Sequence, residues 1–199
     1  MEKRLKGDSM ENIEKMLIEN PIIAAIRNDE DLEASLISEA EIIFVLYGNI
    51  MNIGSICNKI KEKKKTVFVH MDLIEGLKGD TQGLEYIKKY VAPTGIITTK
   101  ISCIKHAKHL GFYTIQRVFV VDSLFLKTGI KSIHEISPHA IEIMPGVAIK
   151  AMGKEEKLDK KLRVPIIAGG LIRTKKDVMN CLSSGAIAVS TSTIDLWNL

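Results

Sequence analysis

The stretch Val164-Pro-Ile-Ile-Ala-Gly-Gly170 predicts a short strand that is buried on both faces and ends in two glycines. Its apolar residues follow one another without the polar alternation of a half-exposed strand, which is typical of parallel sheets. Seven similar runs rich in isoleucine and valine occur elsewhere in the chain, at residues 22–27, 42–47, 66–72, 95–99, 114–122, 140–144 and 186–190. With residues 164–169, the chain therefore contains eight predicted strands.

Amphipathic segments of helical period separate these strands, at residues 29–39, 53–64, 82–91, 102–110, 124–136, 149–162 and 175–184. Eight strands alternating with seven helices predict an α/β protein, a compact (β/α)8 TIM-type barrel with short loops and a truncated last helix. The alternative is an open doubly wound sheet, which usually has five or six strands. We expect a single barrel domain over residues 20–199, preceded by an N-terminal extension over residues 1–19 that is helical in part.

The overall composition restricts the classes of function. The 199 residues include 28 Lys and Arg against 24 Asp and Glu, a mild excess that permits an anionic partner without requiring one. The three cysteines lie far apart, which fits neither a disulfide framework nor a zinc site. No apolar run reaches the roughly 18 residues that span a bilayer, and the N-terminus has no signal-peptide core. We expect a cytoplasmic protein that contacts no membrane.

Small and hydroxyl-bearing residues end the last two predicted strands, where barrels of this type frequently bind phosphate. Glycine lets backbone N–H groups approach phosphate oxygens, and short hydroxyls add donors without bulk. The candidate phosphate ligands are Gly169, Gly170, Ser190, Thr191 and Ser192. A turn and a helix cap would account for the same residues without a ligand.

Charged and polar side chains interrupt several strands, and such a group inside a barrel is costly unless it is paired or bound to a ligand. The residues of this kind are Arg27, His70, Asp72, Lys100, Gln116, Asp122 and Glu142. We expect His70 and Asp72 to share one face of the third strand, and Gln116 and Asp122 to share one face of the fifth. Mutual salt bridges, for instance between Arg27 and Glu142, would explain them without a ligand, and Asp122 could simply cap a helix. His70 and Asp72 could form an acid–base pair, but no nucleophile, P-loop, zinc-protease or dinucleotide-binding motif accompanies them.

Lysines concentrate outside the strands, at residues 59–65, 150–163 and 175–176. Solubility and the favourable placement of cations at helix C-termini would explain them. The alternative is a surface that neutralises the phosphates of a nucleic acid. The candidate RNA contacts in these clusters are Lys63, Lys64, Lys65, Lys157, Lys160 and Lys161.

Seven stretches in order along the chain carry a resemblance to a known family. They are Asn20-Pro-Ile-Ile-Ala-Ala-Ile-Arg27, Gly95-Ile-Ile-Thr-Thr-Lys100, Thr114-Ile-Gln-Arg-Val-Phe119, Val121-Asp-Ser-Leu124, Ile141-Glu-Ile-Met-Pro-Gly146, Pro165-Ile-Ile-Ala-Gly-Gly-Leu-Ile172 and Ala188-Val-Ser-Thr-Ser192. Over about residues 20–199 the chain resembles the glycerol-3-phosphate-responsive antiterminator family, also called glycerol uptake operon antiterminator regulatory proteins. The resemblance implies a regulator without known catalysis that binds glycerol 3-phosphate and acts on leader mRNA, so that transcription passes a terminator.

On this interpretation the protein is not an enzyme, and glycerol 3-phosphate is a regulatory ligand with no further cofactor or metal. The residues expected to contact the glycerol moiety or to organise its pocket are Arg27, His70, Asp72, Lys100 and Glu142. A homo-oligomer is compatible with the sequence. Two alternatives stay open, namely a barrel enzyme that acts on a phosphorylated metabolite with Asp72 and Glu142 as acid–base groups, and a ligand-binding protein whose partner is another protein.

Overall fold

The strands of the protein form a closed parallel barrel, in which each strand pairs with the next and the eighth pairs with the first. A computed structural model describes residues 12–121, 133, 135–152 and 164–199. The strands are β1 Ile22–Ile26, β2 Ile42–Val45, β3 Thr66–His70, β4 Gly95–Thr98, β5 Tyr113–Phe119, β6 Ala140–Met144, β7 Ile166–Gly169 and β8 Ala188–Thr191. The predicted fold class is confirmed, and the open doubly wound sheet is excluded because β1 and β8 are hydrogen-bonded neighbours.

Helices follow the strands as predicted, with small differences at their ends. After α1 at residues 12–19 come α2 Asp29–Ile37, α3 Ile53–Glu62, α4 Thr81–Tyr86 with its π-helical continuation Ile87–Val91, α5 Ile101–His109, α6 Ala148–Met152, α7 Lys175–Ser183 and a final 3-10 helix Ile194–Asn198. Most of each helix predicted over residues 124–136 and 149–162 lies outside the described residues. Among the described residues, no helix has the length and apolar character needed to cross a membrane.

Two apolar cores stabilise the barrel, because alternate residues of each strand point inward and outward. Inward side chains, such as those of Phe44, Phe68 and Ile115, pack together inside the barrel. Ile13 and Leu17 of α1 are fully buried in this same interior cluster. The helix at residues 12–19 therefore closes the barrel at the amino ends of its strands, which leaves the carboxyl ends as the open mouth.

The alternation of inward and outward residues corrects two sequence predictions. Strand β3 ends at His70, and Asp72 lies in a 3-10 turn, so these two residues do not share a strand face. In β5, Ile115 belongs to the interior cluster, so the inward neighbour two residues on is Arg117 and Gln116 faces outward. Asp122, the residue predicted to share a face of the fifth strand with Gln116, lies outside the described residues.

Candidate functional site

A cavity of about 510 Å³ opens at the barrel mouth, where strands β5 to β8 and β1 end. Its apolar wall includes Leu46, Phe119 and Met144. The polar and glycine residues around it are Arg27, Arg117, Glu142, Gly170, Arg173, Ser190, Thr191, Ser192 and Thr193. The cavity is within the size range of small-molecule sites, and it lies at the end of the barrel where such proteins bind their ligands.

The floor of the cavity is a buried carboxylate held by two partners. Glu142 is 1% exposed, and its Oε2 accepts a hydrogen bond from Arg117 Nε at 2.6 Å. Its Oε1 accepts a hydrogen bond from Ser190 Oγ at 2.5 Å. Gly169 makes this arrangement possible, since a Cβ atom there would lie 2.6 Å from Glu142 Oε1 and 2.8 Å from Ser190 Oγ. Gly169 therefore acts by leaving room for the carboxylate and hydroxyl rather than by facing the cavity.

The register between β5 and β6 explains why Arg117 and Glu142 lie next to each other. The two residues are directly paired across β5 and β6, and both point into the barrel. The salt bridge suggested from sequence, between Arg27 and Glu142, is therefore wrong. Arg27 directly follows β1 and has an exposed side chain, and its Nε lies 3.9 Å from Asp31 Oδ2.

Three arginines line the cavity, namely Arg27, Arg117 and Arg173, and only Arg27 was predicted from the sequence to lie near a ligand. Sequence reasoning missed Arg117 because it favoured Gln116, which lies on the opposite, outward face of β5. Arg173 was missed because it follows the glycines of β7 in an otherwise ordinary loop. Its side chain has no ion pair within the described part of the chain, and its backbone N–H donates to Asp177 Oδ2 at 3.1 Å.

The loops after β7 and β8 are braced against each other at the rim. Thr191 Oγ1 donates to the Ile172 carbonyl at 2.8 Å, and Trp197 Nε1 donates to the Thr191 carbonyl at 2.8 Å. The hydroxyl of Thr191 is thus already engaged, whereas Ser192 lines the cavity at a half-buried position. Gly170 has a φ of +73°, in the left-handed region that favours glycine.

The predicted phosphate ligands thus lie together at one end of the barrel, but not all of them line the cavity. Gly170, Ser190, Thr191 and Ser192 line the cavity, and Gly169 lies behind its floor. Contact of each with a phosphate group stays a prediction. The side chain of Thr191 instead links the end of β8 to the loop after β7, through its hydrogen bond to the Ile172 carbonyl.

His70 points into the barrel interior and is 2% exposed. Neither ring nitrogen has a hydrogen-bond partner among the described residues. Burial, and the positive charge of Arg117, lower the pKa of His70 to about 4, although Asp72 acts in the opposite direction. The imidazole is therefore neutral at neutral pH, and it does not line the cavity.

Asp72 and Lys100 lie together beside β4, and neither of them lines the cavity. Asp72 accepts hydrogen bonds from Thr98 Oγ1 and from the N–H and Oγ1 of Thr99, and Lys100 Nζ lies 3.5 Å from its Oδ1. Burial alone would raise the pKa of Asp72, but these hydrogen bonds outweigh it and hold the pKa below its usual value. Asp72 and Glu142 are therefore not brought together as an acid–base pair. No cluster of three potential metal ligands occurs among the residues that the structure describes.

The lysines proposed to bind RNA divide into three groups. Lys63 and Lys64 are exposed at the amino-end face of the barrel, after α3. The prediction for Lys65 is wrong, because Lys65 is buried and its Nζ donates to the Ser38 and Ala40 carbonyls at 2.6 and 2.8 Å. Lys157, Lys160 and Lys161 lie outside the described residues.

Comparison with known proteins agrees with the resemblance of the sequence. The profile of the family described as glycerol-3-phosphate responsive antiterminator matches residues 22–197. The chain is 38% identical over 184 residues to an uncharacterized protein of Escherichia coli K12, YgcP, and the match covers 92% of this chain and 95% of that protein.

Two crystal structures resemble the chain in both sequence and fold. The glycerol uptake operon antiterminator regulatory protein of Listeria monocytogenes is 34% identical with a TM-score of 0.82, over 88% of this chain and 94% of that one. A glycerol uptake operon antiterminator-related protein of Thermotoga maritima is 28% identical with a TM-score of 0.78, over 89% and 98% of the two chains.

Proposed function

Because this chain belongs to the glycerol-3-phosphate responsive antiterminator family, a family of regulators, we propose that it senses glycerol 3-phosphate in the mouth cavity and acts on leader mRNA of glycerol-uptake genes. The observation that carries the proposal is the composition of the cavity, which three arginines and one carboxylate line. Glu142 compensates Arg117 directly. Asp31 lies 3.9 Å from Arg27, whereas Arg173 has no ion pair among the described residues, and its positive charge suits a small anion that enters from the mouth.

The phosphate group binds at the rim in this proposal, between the loops after β7 and β8. Arg173 and Arg27 supply charge-assisted hydrogen bonds, which are about twice as strong as neutral ones. The hydroxyl of Ser192 and the backbone of Gly170, which carries no side chain of its own, add donors at short range. Both arginine side chains are exposed, so they can adjust to the ligand.

The glycerol moiety extends toward the floor, where Glu142 is the available acceptor for a ligand hydroxyl. The carboxylate is held in place by Arg117 and Ser190, so it is oriented before the ligand arrives. A carboxylate oxygen has more than one lone pair and can accept from a ligand while keeping its present partners. This arrangement selects a polyol phosphate over phosphate alone.

A thermal-shift experiment with matched variants tests this ligand assignment. Glycerol 3-phosphate should raise the melting temperature and glycerol should not, because ligand bound to the native state stabilises it. Arg173→Gln should reduce the shift strongly, while Lys175→Gln, an exposed cation two residues away, should leave it unchanged. An equal shift with glycerol, or equal shifts for both variants, would refute the assignment.

The protein does not turn over its ligand in this proposal. The two carboxylates considered as acid–base groups, Asp72 and Glu142, do not share the cavity, and Glu142 is fixed in an ion pair. Phosphorus NMR of glycerol 3-phosphate with stoichiometric protein should show no new species. A protein-dependent product that disappears in Glu142→Gln would establish the enzyme alternative instead.

Binding to leader RNA is the second half of the proposal, and it is measured with and without ligand. Glycerol 3-phosphate should strengthen binding to the leader RNA of a glycerol operon by about 5- to 150-fold, the usual range of such coupling. Glycerol serves as the control ligand. Absence of any RNA binding by a protein that still binds glycerol 3-phosphate would indicate a protein partner.

A further inference from the structure

A basic and aromatic surface lies at the amino-end face of the barrel, opposite the cavity. Lys63 and Lys64 follow α3, and Lys88, Lys89 and Tyr90 end the π-helical turn before β4. We call these five residues the Tyr90 surface. Its two halves are joined directly, because Lys61 Nζ in α3 donates to the carbonyl of Val91 at 2.8 Å.

The lysines of the Tyr90 surface differ from the other lysines of this face. Lys65 and Lys61 donate to backbone carbonyls at the ends of neighbouring helices. Within the described residues, Lys63 and Lys64 form no ion pair, and Lys88 and Lys89 contact aromatic rings instead of carboxylates. Four cations are therefore exposed without a carboxylate partner in the described part of the chain.

Tyr90 is the feature that helix-end electrostatics does not explain. Cations are favourable near helix C-termini, which accounts for lysines on this face but not for a large exposed ring. Tyr90 is 61% exposed, its ring centroid lies 5.0 Å from that of Tyr86, and Lys89 Nζ lies 5.0 Å from the same ring. Tyr86 is itself fixed, since its hydroxyl donates to the Ile50 carbonyl at 3.2 Å.

We infer that the Tyr90 surface binds a single-stranded segment of RNA, with an unpaired base stacked on Tyr90 and backbone phosphates against the four lysines. Stacking on aromatic rings beside a positively charged groove is how proteins hold single strands without reading their sequence. The inference rests on the proposed function for its RNA partner. It adds the location of the contact and places the RNA at the opposite end of the barrel from the ligand.

The test uses fluorescence anisotropy of an unstructured 12-nucleotide oligouridylate with the full chain, measured over a series of salt concentrations. Tyr90→Ala should weaken binding by about 5- to 150-fold with the salt dependence unchanged, and Tyr90→Phe should restore it. The double variant Lys88→Gln/Lys89→Gln should flatten the log–log salt slope by about 0.7 for each lysine lost. Lys175→Gln/Lys176→Gln, an exposed pair at the opposite end, should keep the parent slope.

The outcomes separate this inference from the proposed function. If Tyr90→Ala binds the oligonucleotide like the parent, or the control pair changes the slope as much, the Tyr90 surface is not the RNA contact. Ligand-dependent binding of leader RNA by that same Tyr90→Ala protein would leave the proposed function intact. All variants should keep the parent's thermal shift with glycerol 3-phosphate, because the surface is remote from the cavity.

Discussion

The cations that line the cavity and the lysines at the amino ends of the strands differ in kind and in their partners. At the carboxyl ends of the strands, three of the chain's five arginines line one cavity. At the amino ends, Lys61, Lys65 and Lys108 donate to backbone carbonyls at the ends of neighbouring helices. The lysines thus complete the fold, whereas Arg173 has no ion pair in the described residues.

Helix direction explains the difference between the two ends. Helices of a (β/α)8 barrel run antiparallel to the strands, so their C-termini, with partial negative charge, gather at the amino ends of the strands. Lysines there are favourable without any ligand. Helix N-termini gather at the mouth, where arginines are disfavoured unless an anion or a carboxylate compensates them. Cations at the mouth therefore indicate a bound anion more strongly than cations at the other end.

The largest expected effect concerns the ion pair between Arg117 and Glu142 at the cavity floor. Arg117→Met leaves the buried carboxylate of Glu142 without its cation and should lower the free energy of unfolding by about 3–5 kcal/mol, measured by urea denaturation. Arg117→Met/Glu142→Gln should recover much of the loss, because no buried charge is then left unpaired. If Arg117→Met is as stable as the parent, the ion pair does not hold the floor together.

A second prediction concerns pH and the neutral histidine below the mouth. His70 has a pKa of about 4 in the folded protein against about 6.5 when unfolded, so the unfolded state binds its proton first as pH falls. The free energy of unfolding should be highest above pH 6.5, and this residue should lower it by about 3 kcal/mol between pH 6.5 and 4. His70→Leu should show a flatter curve in denaturation at several pH values, and a curve parallel to the parent's would contradict the assignment.

At the amino-end face, a smaller effect separates structural from exposed lysines. Lys65→Met removes a charged donor from the Ser38 and Ala40 carbonyls and should lower the unfolding free energy by about 1–3 kcal/mol. Lys63→Met, two residues away and exposed, should change it by less than about 0.5 kcal/mol. If thermal denaturation shows the same loss of stability for both variants, the hydrogen bonds of Lys65 do not stabilise the end of α2.

The smallest effect distinguishes bracing from ligand contact at the rim. Thr191→Val removes the hydrogen bond to the Ile172 carbonyl and should lower the unfolding free energy by about 1 kcal/mol, with glycerol 3-phosphate affinity unchanged. Ser192→Ala should have the opposite effect, because it should leave the unfolding free energy unchanged and weaken the binding of glycerol 3-phosphate. Denaturation and calorimetric titration of both variants check this, and a loss of affinity in Thr191→Val alone would assign the phosphate contact to Thr191.

The fold and the end of the barrel that holds the cavity were predictable from the sequence, because buried strands and helical periods are local patterns. Glu142, Ser190 and Gly170 were correctly expected near one another, since strand ends of a barrel meet at the same face. Arg117 was not identified, although Ile115 two residues earlier indicates the inward face of β5. Lys65 was misassigned because its burial depends on carbonyls at the end of α2, which the register of β2 and β3 brings close.

We propose a polyol phosphate as the ligand of the mouth cavity, bound at its arginine-lined rim. A crystal structure of the protein with glycerol 3-phosphate would show where the ligand lies. We expect the phosphate between the loops after β7 and β8, in contact with Arg27 and Arg173, and a glycerol hydroxyl within hydrogen-bond distance of Glu142. Ligand density at the amino-end face, or a phosphate seated away from Arg173 with Ser192 uncontacted, would contradict it.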